Sequence, residues 1–66
     1  MSPITRLRNA KDLTQDEFAR LVGRTQATVS KWESGEQMPD THALRTLAKL
    51  GLDVAALLAY RPRRAA

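Results

Sequence analysis

The apolar residues of this chain recur every three or four positions, which is the period of an amphipathic α-helix. Between residues 14 and 35, Phe18 and Val22 fall on one side of a helical wheel, and Val29 and Trp32 share one side of a second wheel. Each pair predicts a short helix that turns one face toward a core. Because the two helices follow each other closely in the chain, we expect them to pack together.

Capping residues mark where these two helices begin and end. Thr14 and Glu17 have the spacing of a capping box, in which each side chain bonds the backbone N–H of the other residue. Thr25 is a favourable N-cap for the second helix. Gly23 and Gly35 follow the two helices, and glycine readily takes the left-handed conformation of a helix end. The stretch therefore predicts a helix-turn-helix.

The flanking segments predict three further helices. Ser2 and Pro3 suit an N-cap and a first helical position, so we expect the first helix to begin at Pro3 and to end near Ala10. The fourth helix begins after Asp40 or Thr41 and ends at Gly51, and the fifth begins after Asp53 and runs from Val54 to about Tyr60. We therefore predict an all-α domain of five helices over residues 1–60, followed by a basic, flexible tail over residues 61–66.

The second motif helix carries a polar face opposite its apolar residues. This face consists of Gln26, Ala27, Ser30 and Lys31. A glutamine amide can bond adenine at two atoms, a lysine can reach guanine or a phosphate, and an alanine can pack on a thymine methyl group. These four side chains are therefore predicted to read bases in the major groove of DNA.

The motif residues resemble those of the Cro/C1-type (XRE-like) helix-turn-helix family of phage and bacterial transcriptional regulators. The matching residues are Leu13-Thr14-Gln15, Phe18-Ala19, Val22-Gly23, Gln26, Thr28-Val29-Ser30, Trp32-Glu33-Ser34-Gly35 and Pro39. The resemblance covers residues 4–58 approximately. It implies a compact, lambda-repressor-like five-helix domain that binds operator DNA, usually as a dimer.

Two further expectations concern the scaffold of the motif. The resemblance implies an ion pair between Arg8 and Glu33, which would join the first helix to the end of the recognition helix. Asp12 lies where such proteins often have glycine, and aspartate tolerates the left-handed conformation better than most residues. The turn after the first helix is therefore expected to form.

Contacts to the DNA backbone are expected around the motif. Gln15 is the first residue of its helix, and the positive end of a helix favours a bound phosphate. The loop after the recognition helix carries Glu36 where relatives commonly have a cation, which weakens its grip on phosphate. The expected backbone contacts come from Gln15, Arg24, Thr25, Thr28 and Gln37.

Composition narrows the possible functions. The chain has 66 residues, a net charge of +4 and a pI of about 10.4, which favours a polyanionic partner such as double-stranded DNA. Charges cancel between residues 14 and 50, so the excess lies near the two ends. Cysteine is absent and His42 is the only histidine, so we expect no metal site, no cofactor and no enzyme activity. No apolar run can span a membrane, and we expect a cytoplasmic protein.

The fifth helix is apolar on every side. Val54, Leu57 and Leu58 are assigned to the core, which leaves other apolar residues uncovered at the edge of the domain. The predicted dimer contact consists of Ala55, Ala56, Ala59 and Tyr60. We expect a weak homodimer that is completed on near-palindromic DNA.

Two classes of DNA-binding protein fit these observations. The favoured one is a small Cro-like or repressor-type regulator that occupies operators. The alternative is an antitoxin of similar fold, which would bind a toxin protein as well as its own promoter. A protein partner that co-purifies with the chain would distinguish the second class from the first.

Overall fold

Five short helices make up the fold. The computed structural model describes residues 1–61, and in this part of the chain no residue is in a strand. The helices are α1 (Pro3–Ala10), α2 (Gln15–Val22), α3 (Gln26–Ser34), α4 (Thr41–Lys49) and α5 (Val54–Ala59). The predicted all-α fold is therefore confirmed. The predicted tail lies outside the described residues, except for Arg61.

Side-chain caps begin every helix, as the sequence indicates. At α2 the Thr14 Oγ1 accepts the Glu17 backbone N–H at 3.1 Å, and the Glu17 Oε1 accepts the Thr14 N–H at 2.9 Å, which completes a capping box. Of the two candidates before α4, Asp40 is the cap, because its Oδ1 accepts the backbone N–H of Ala43 at 2.8 Å. The remaining N-caps are Ser2, Thr25 and Asp53.

The turns around the motif use left-handed backbone. Gly23 ends α2 at a φ of 73°, and Gly35 ends α3 at a φ of 86°. Asp12, between α1 and α2, has a φ of 56° and is the one non-glycine residue with positive φ in the part of the chain that the structure describes. Aspartate thus occupies the conformation that a glycine would take at lower cost.

A single core lies between the helices, and every helix contributes to it. The apolar faces predicted for α2 and α3 point inward, with Phe18 and Val29 fully buried and Trp32 only 2% exposed. The other buried apolar residues are Ile4, Ala19, Ala43, Leu47, Leu52 and Leu57. Packing of α2 against α3 over this core fixes the angle between the two helices of the motif.

The assignment of core residues in α5 was wrong at one position. Leu58 was assigned to the core, but it is 54% exposed. The helix has only six residues and packs on α1, so that Val54 and Leu57, three positions apart, are the residues that turn inward. The exposed Leu58 therefore adds to the uncovered apolar surface of this helix.

An ion pair joins α1 to α3. The Arg8 Nε lies 2.7 Å from the Glu33 Oε2, and the Arg8 Nη2 lies 3.1 Å from the Glu33 Oε1. The Arg8 Nη1 also donates to the backbone carbonyl of Leu13 at 2.9 Å. The two charged side chains are only 16% and 9% exposed. Removing either one would leave the other charged group partly buried and without its partner.

We expect Arg8→Ala and Glu33→Ala each to lower the free energy of unfolding by about 3 kcal/mol. The double mutant should lose less than the sum, with a coupling energy of at least about 1 kcal/mol, because the two changes remove the same interaction. Urea unfolding followed by the fluorescence of Trp32 measures all three variants.

The exposed pair of Arg20 and Asp16 on α2 provides the control, because its side chains are 79% and 59% exposed. The same cycle at this pair should give a coupling of about 0.3 kcal/mol. A coupling at Arg8 and Glu33 no larger than the control value would contradict a structural role for their ion pair.

Candidate nucleic-acid interface

The polar face predicted for α3 lies on its solvent side. Gln26, Ala27 and Lys31 are exposed, and Ser30 is half-buried. The apolar residues of the same helix are buried on the opposite side. We call these four residues the outer face of α3. Its side chains are small or flexible and none is acidic, so the face can approach a polyanion without repulsion.

A chain of hydrogen bonds runs from the core to this face. The Glu33 Oε1, which accepts a hydrogen bond from Arg8, also accepts one from the side-chain Nε2 of Gln15 at 3.2 Å. The Gln15 Oε1 in turn accepts the Nε2 of Gln26 at 2.6 Å. The ion pair between α1 and α3 is thereby linked through α2 to the first residue of α3.

The carboxylate of Glu33 determines how the side-chain amides of Gln15 and Gln26 are oriented in this series of hydrogen bonds. An ionised carboxylate only accepts hydrogen bonds, so Gln15 must turn its NH₂ group to Glu33 and its carbonyl oxygen to Gln26. Gln26 must then turn its own NH₂ group to Gln15. One N–H and the carbonyl oxygen of Gln26 are left for another partner.

The Glu33 carboxylate remains ionised at neutral pH. Burial by itself would raise the pKa of Glu33, but the hydrogen bonds from Arg8 and Gln15 outweigh it and hold the pKa below the ordinary value of a glutamate. The acceptor that orients Gln15 is therefore present under physiological conditions.

The threonines predicted to contact the DNA backbone lie at the N-terminus of α3. Thr25 is exposed, and its Oγ1 accepts the backbone N–H of Thr28 at 3.2 Å. The two hydroxyl oxygens lie 2.9 Å apart and share a hydrogen bond. Gln37 lies in the loop after α3 with an exposed side chain, and its backbone N–H donates to the carbonyl of Lys31 at 3.3 Å.

Arg24, also predicted to contact the DNA backbone, is bonded to a carboxylate in this structure. Its Nη2 lies 3.1 Å from the Asp40 Oδ1, and its Nη1 lies 3.3 Å from the Asp40 Oδ2. The guanidinium carbon also lies 5.8 Å from the centre of the Trp32 ring. Local sequence patterns do not predict this pair, because 16 residues separate its members.

The sequence does indicate that the Arg24 side chain lies close to α3, although it does not indicate the partner. Arg24 directly precedes the N-cap Thr25, where an apolar residue often packs back on the helix. The Arg24 side chain is only 26% exposed at this position, so a partner for its charge offsets the cost of its partial burial, and Asp40 supplies that partner.

The residues predicted for a dimer contact lie on one side of the domain. Ala55, Ala56 and Ala59 are exposed, whereas Tyr60 is half-buried and lines a small pocket beside Trp32. The structure thus leaves the three alanines uncovered but gives Tyr60 neighbours within its own chain.

Residues 1–61 contain neither a candidate metal site nor a candidate membrane span. This range holds no group of three or more histidine, cysteine or acidic side chains placed to bind a metal ion. None of the helices described in it is long and apolar enough to cross a membrane.

Comparisons with known proteins agree with this geometry. A family model described as helix-turn-helix matches residues 4–51. The HTH-type transcriptional activator BcrR of Enterococcus faecalis is 35% identical over 46 residues, which cover 70% of this chain and 22% of that protein. The chain thus spans about a fifth of the length of this curated relative. No solved structure gives a significant match.

The family match includes α1 to α4, and with them both helices of the motif and the hydrogen-bonded chain that ends at Gln26. Proteins of this kind are generally not enzymes. The chain belongs to the Cro/C1-type helix-turn-helix family of DNA-binding transcription regulators.

Proposed function

We propose that this chain regulates transcription by binding a near-palindromic operator, with the outer face of α3 in the major groove. In this proposal Gln26 reads an adenine. The observation that carries it is the hydrogen-bonded chain from Glu33 through Gln15 to Gln26.

The orientation of Gln26 supports the choice of adenine. After its bond to Gln15, Gln26 retains one N–H donor and one carbonyl acceptor. Adenine presents the complementary pair in the major groove, with N7 as acceptor and the N6 amino group as donor. Because the amide is held before DNA arrives, less conformational entropy is lost when the contact forms.

Selection of bound duplexes from a random pool should return a near-palindrome with a preferred adenine in each half-site. Gln26→Ala should cost about 1–3 kcal/mol on that site and should relax the preference at one position of each half-site. Binding to all four bases at every position measures both effects.

Gln37→Ala is the matched control, because it removes an exposed glutamine amide from the loop beyond α3. It should weaken all sequences alike, since a contact to phosphate carries no base information. A Gln26→Ala profile identical to that of the parent would overturn the base-reading role.

The rest of the outer face has complementary roles in this proposal. Lys31 bonds a guanine, Ala27 packs on a thymine methyl group, and Ser30 bonds a base edge. Gln15 donates its remaining amide N–H to a phosphate. Thr25, Thr28 and Gln37 supply further contacts to the DNA backbone.

We expect Lys31→Ala to relax base preference at one position of each half-site, because Lys31 is exposed one turn beyond Ala27 on the outer face. Lys49→Ala, which removes an exposed lysine from α4, should leave the preference profile unchanged. If Lys31→Ala instead weakens all sequences together and lowers the salt slope by about 0.9, then Lys31 contacts only phosphate.

The dimer is the second part of the proposal. A single recognition helix covers too few base pairs to find one site among many competing ones, and a two-fold dimer doubles the sequence that is read. The domain measures 30 × 21 × 21 Å. Two copies joined end to end would have centres about 30 Å apart, which is comparable with the spacing of about 34 Å between successive major grooves.

The exposed apolar side of α5 is the contact that we propose between the two copies. It carries Ala55, Ala56 and Ala59, and the exposed Leu58 enlarges it. A patch on six helical residues is small for a stable interface, so we propose a dimer that is weak in solution and completed on DNA.

Ala56→Arg should abolish cooperative binding to a full operator, because it places a charge within the apolar contact, while binding to an isolated half-site stays nearly unchanged. Ala48→Arg is the control, since it adds the same side chain at an exposed alanine of α4. Titrations of full and half operators with both variants measure the effect. Undiminished cooperativity of Ala56→Arg would show that α5 is not the interface.

A further inference from the structure

We propose that Asp40 holds the Arg24 guanidinium away from DNA phosphates and thereby lowers the affinity of the chain for DNA of any sequence. The proposal rests on the proposed function, because it requires α3 to enter the major groove. It makes Asp40 a determinant of specificity, although Asp40 itself contacts no base.

The geometry shows how firmly Arg24 is held. Each terminal nitrogen of its guanidinium donates to a different oxygen of Asp40, at 3.1 and 3.3 Å, and its side chain is only 26% exposed. The flat guanidinium also lies over the ring of Trp32, which adds a cation–π attraction. A phosphate on DNA could replace the carboxylate, but Arg24 would then have to leave the indole ring.

Asp40 is itself held in place. Its Oδ1 caps α4 by accepting the backbone N–H of Ala43 at 2.8 Å, and the same oxygen accepts from Arg24. The Ala43 N–H and the guanidinium both keep the pKa of Asp40 below its ordinary value. The carboxylate is therefore ionised at neutral pH and remains available to pair with Arg24.

Arg24 lies close to the expected path of the DNA backbone. It directly precedes Thr25, the N-cap of α3, and it is two residues before Gln26. An arginine side chain is long enough to reach past the first turn of a helix, and helix N-termini in DNA-binding proteins commonly lie near phosphates. An Arg24 that was not paired would therefore be well placed to bind a phosphate.

The consequence concerns specificity. Lys31 is the one cation on the outer face of α3, so an unpaired Arg24 would double the positive charge of the recognition element. A phosphate contact strengthens binding to every sequence by the same factor. Such a contact does not help the chain to distinguish its operator from the many competing non-specific sites. The pairing of Arg24 with Asp40 removes this contact.

Asp40→Asn tests the proposal, because asparagine caps a helix as well as aspartate does but has no charge to hold Arg24. The affinity for a duplex of random sequence should rise about eight-fold at 0.1 M salt, which is the gain expected from one phosphate contact. The slope of log affinity against log salt should steepen by about 0.9, which is the value for one additional phosphate contact. Trp32 fluorescence confirms that the variant is folded.

Two controls separate this effect from a general gain of positive charge. Asp53→Asn changes the N-cap of α5 in the same way and raises the net charge equally, but Asp53 forms no ion pair within residues 1–61. It should leave the salt slope unchanged. Arg24→Gln in the Asp40→Asn background should return the affinity and the slope to the values of the parent.

The results distinguish the two proposals. If the parent binds its selected operator but Asp40→Asn binds random DNA no more tightly than Asp53→Asn does, the role of Asp40 is overturned and the proposed function stands. The role of Asp40 is also overturned if the increase in affinity for random DNA persists after Arg24→Gln, because the increase then does not come from Arg24. If the parent selects no duplex from the random pool, the proposed function fails and the role of Asp40 fails with it.

Discussion

The ion pair between Arg8 and Glu33 is the interaction on which the rest of this structure depends. It joins α1 to the end of α3 across the motif, and it does so with two side chains that are mostly shielded from water. Separating two such charges leaves each of them poorly solvated, so the pair resists any shift of α1 against α3. A domain of this size has a small core, and a strong orienting contact therefore matters more here than in a larger protein.

The same carboxylate connects stability to recognition. Glu33 accepts from Arg8 and from Gln15, and Gln15 holds the amide of Gln26 at the surface. Because the Glu33 carboxylate can only accept hydrogen bonds, it determines which end of each glutamine amide faces outward. The direction of a surface glutamine is thus set by a charge that also maintains the fold. Under the proposed function, damage to the ion pair would therefore loosen base reading as well as destabilise the fold.

The sequence was sufficient to predict the helices, because their caps and apolar spacing are local features. Thr14 with Glu17 located the start of α2, and Gly23 and Gly35 located the ends of α2 and α3. The bonds of Gln15 and Arg24 were not predictable in this way. They depend on how α2, α3 and α4 come together, and on residues such as Glu33 and Asp40 that are distant in sequence. Leu58 shows a related limit, since helical spacing does not reveal how wide a face the core will cover.

Pairing within the chain also changes the interpretation of its charge. Arg8, Arg20 and Arg24 each bond an acidic side chain, so three arginines that the sequence counts as positive contribute little to the attraction of a distant polyanion. Six cations of residues 1–61 form no ion pair, namely Arg6, Lys11, Lys31, Arg45, Lys49 and Arg61. Of these six, Lys31 alone lies on the outer face of α3, so this face gains little affinity from phosphate contacts of its own. Under the proposed function, the choice of one DNA sequence over another therefore depends on the contacts of α3 with bases and on the pairing of two copies.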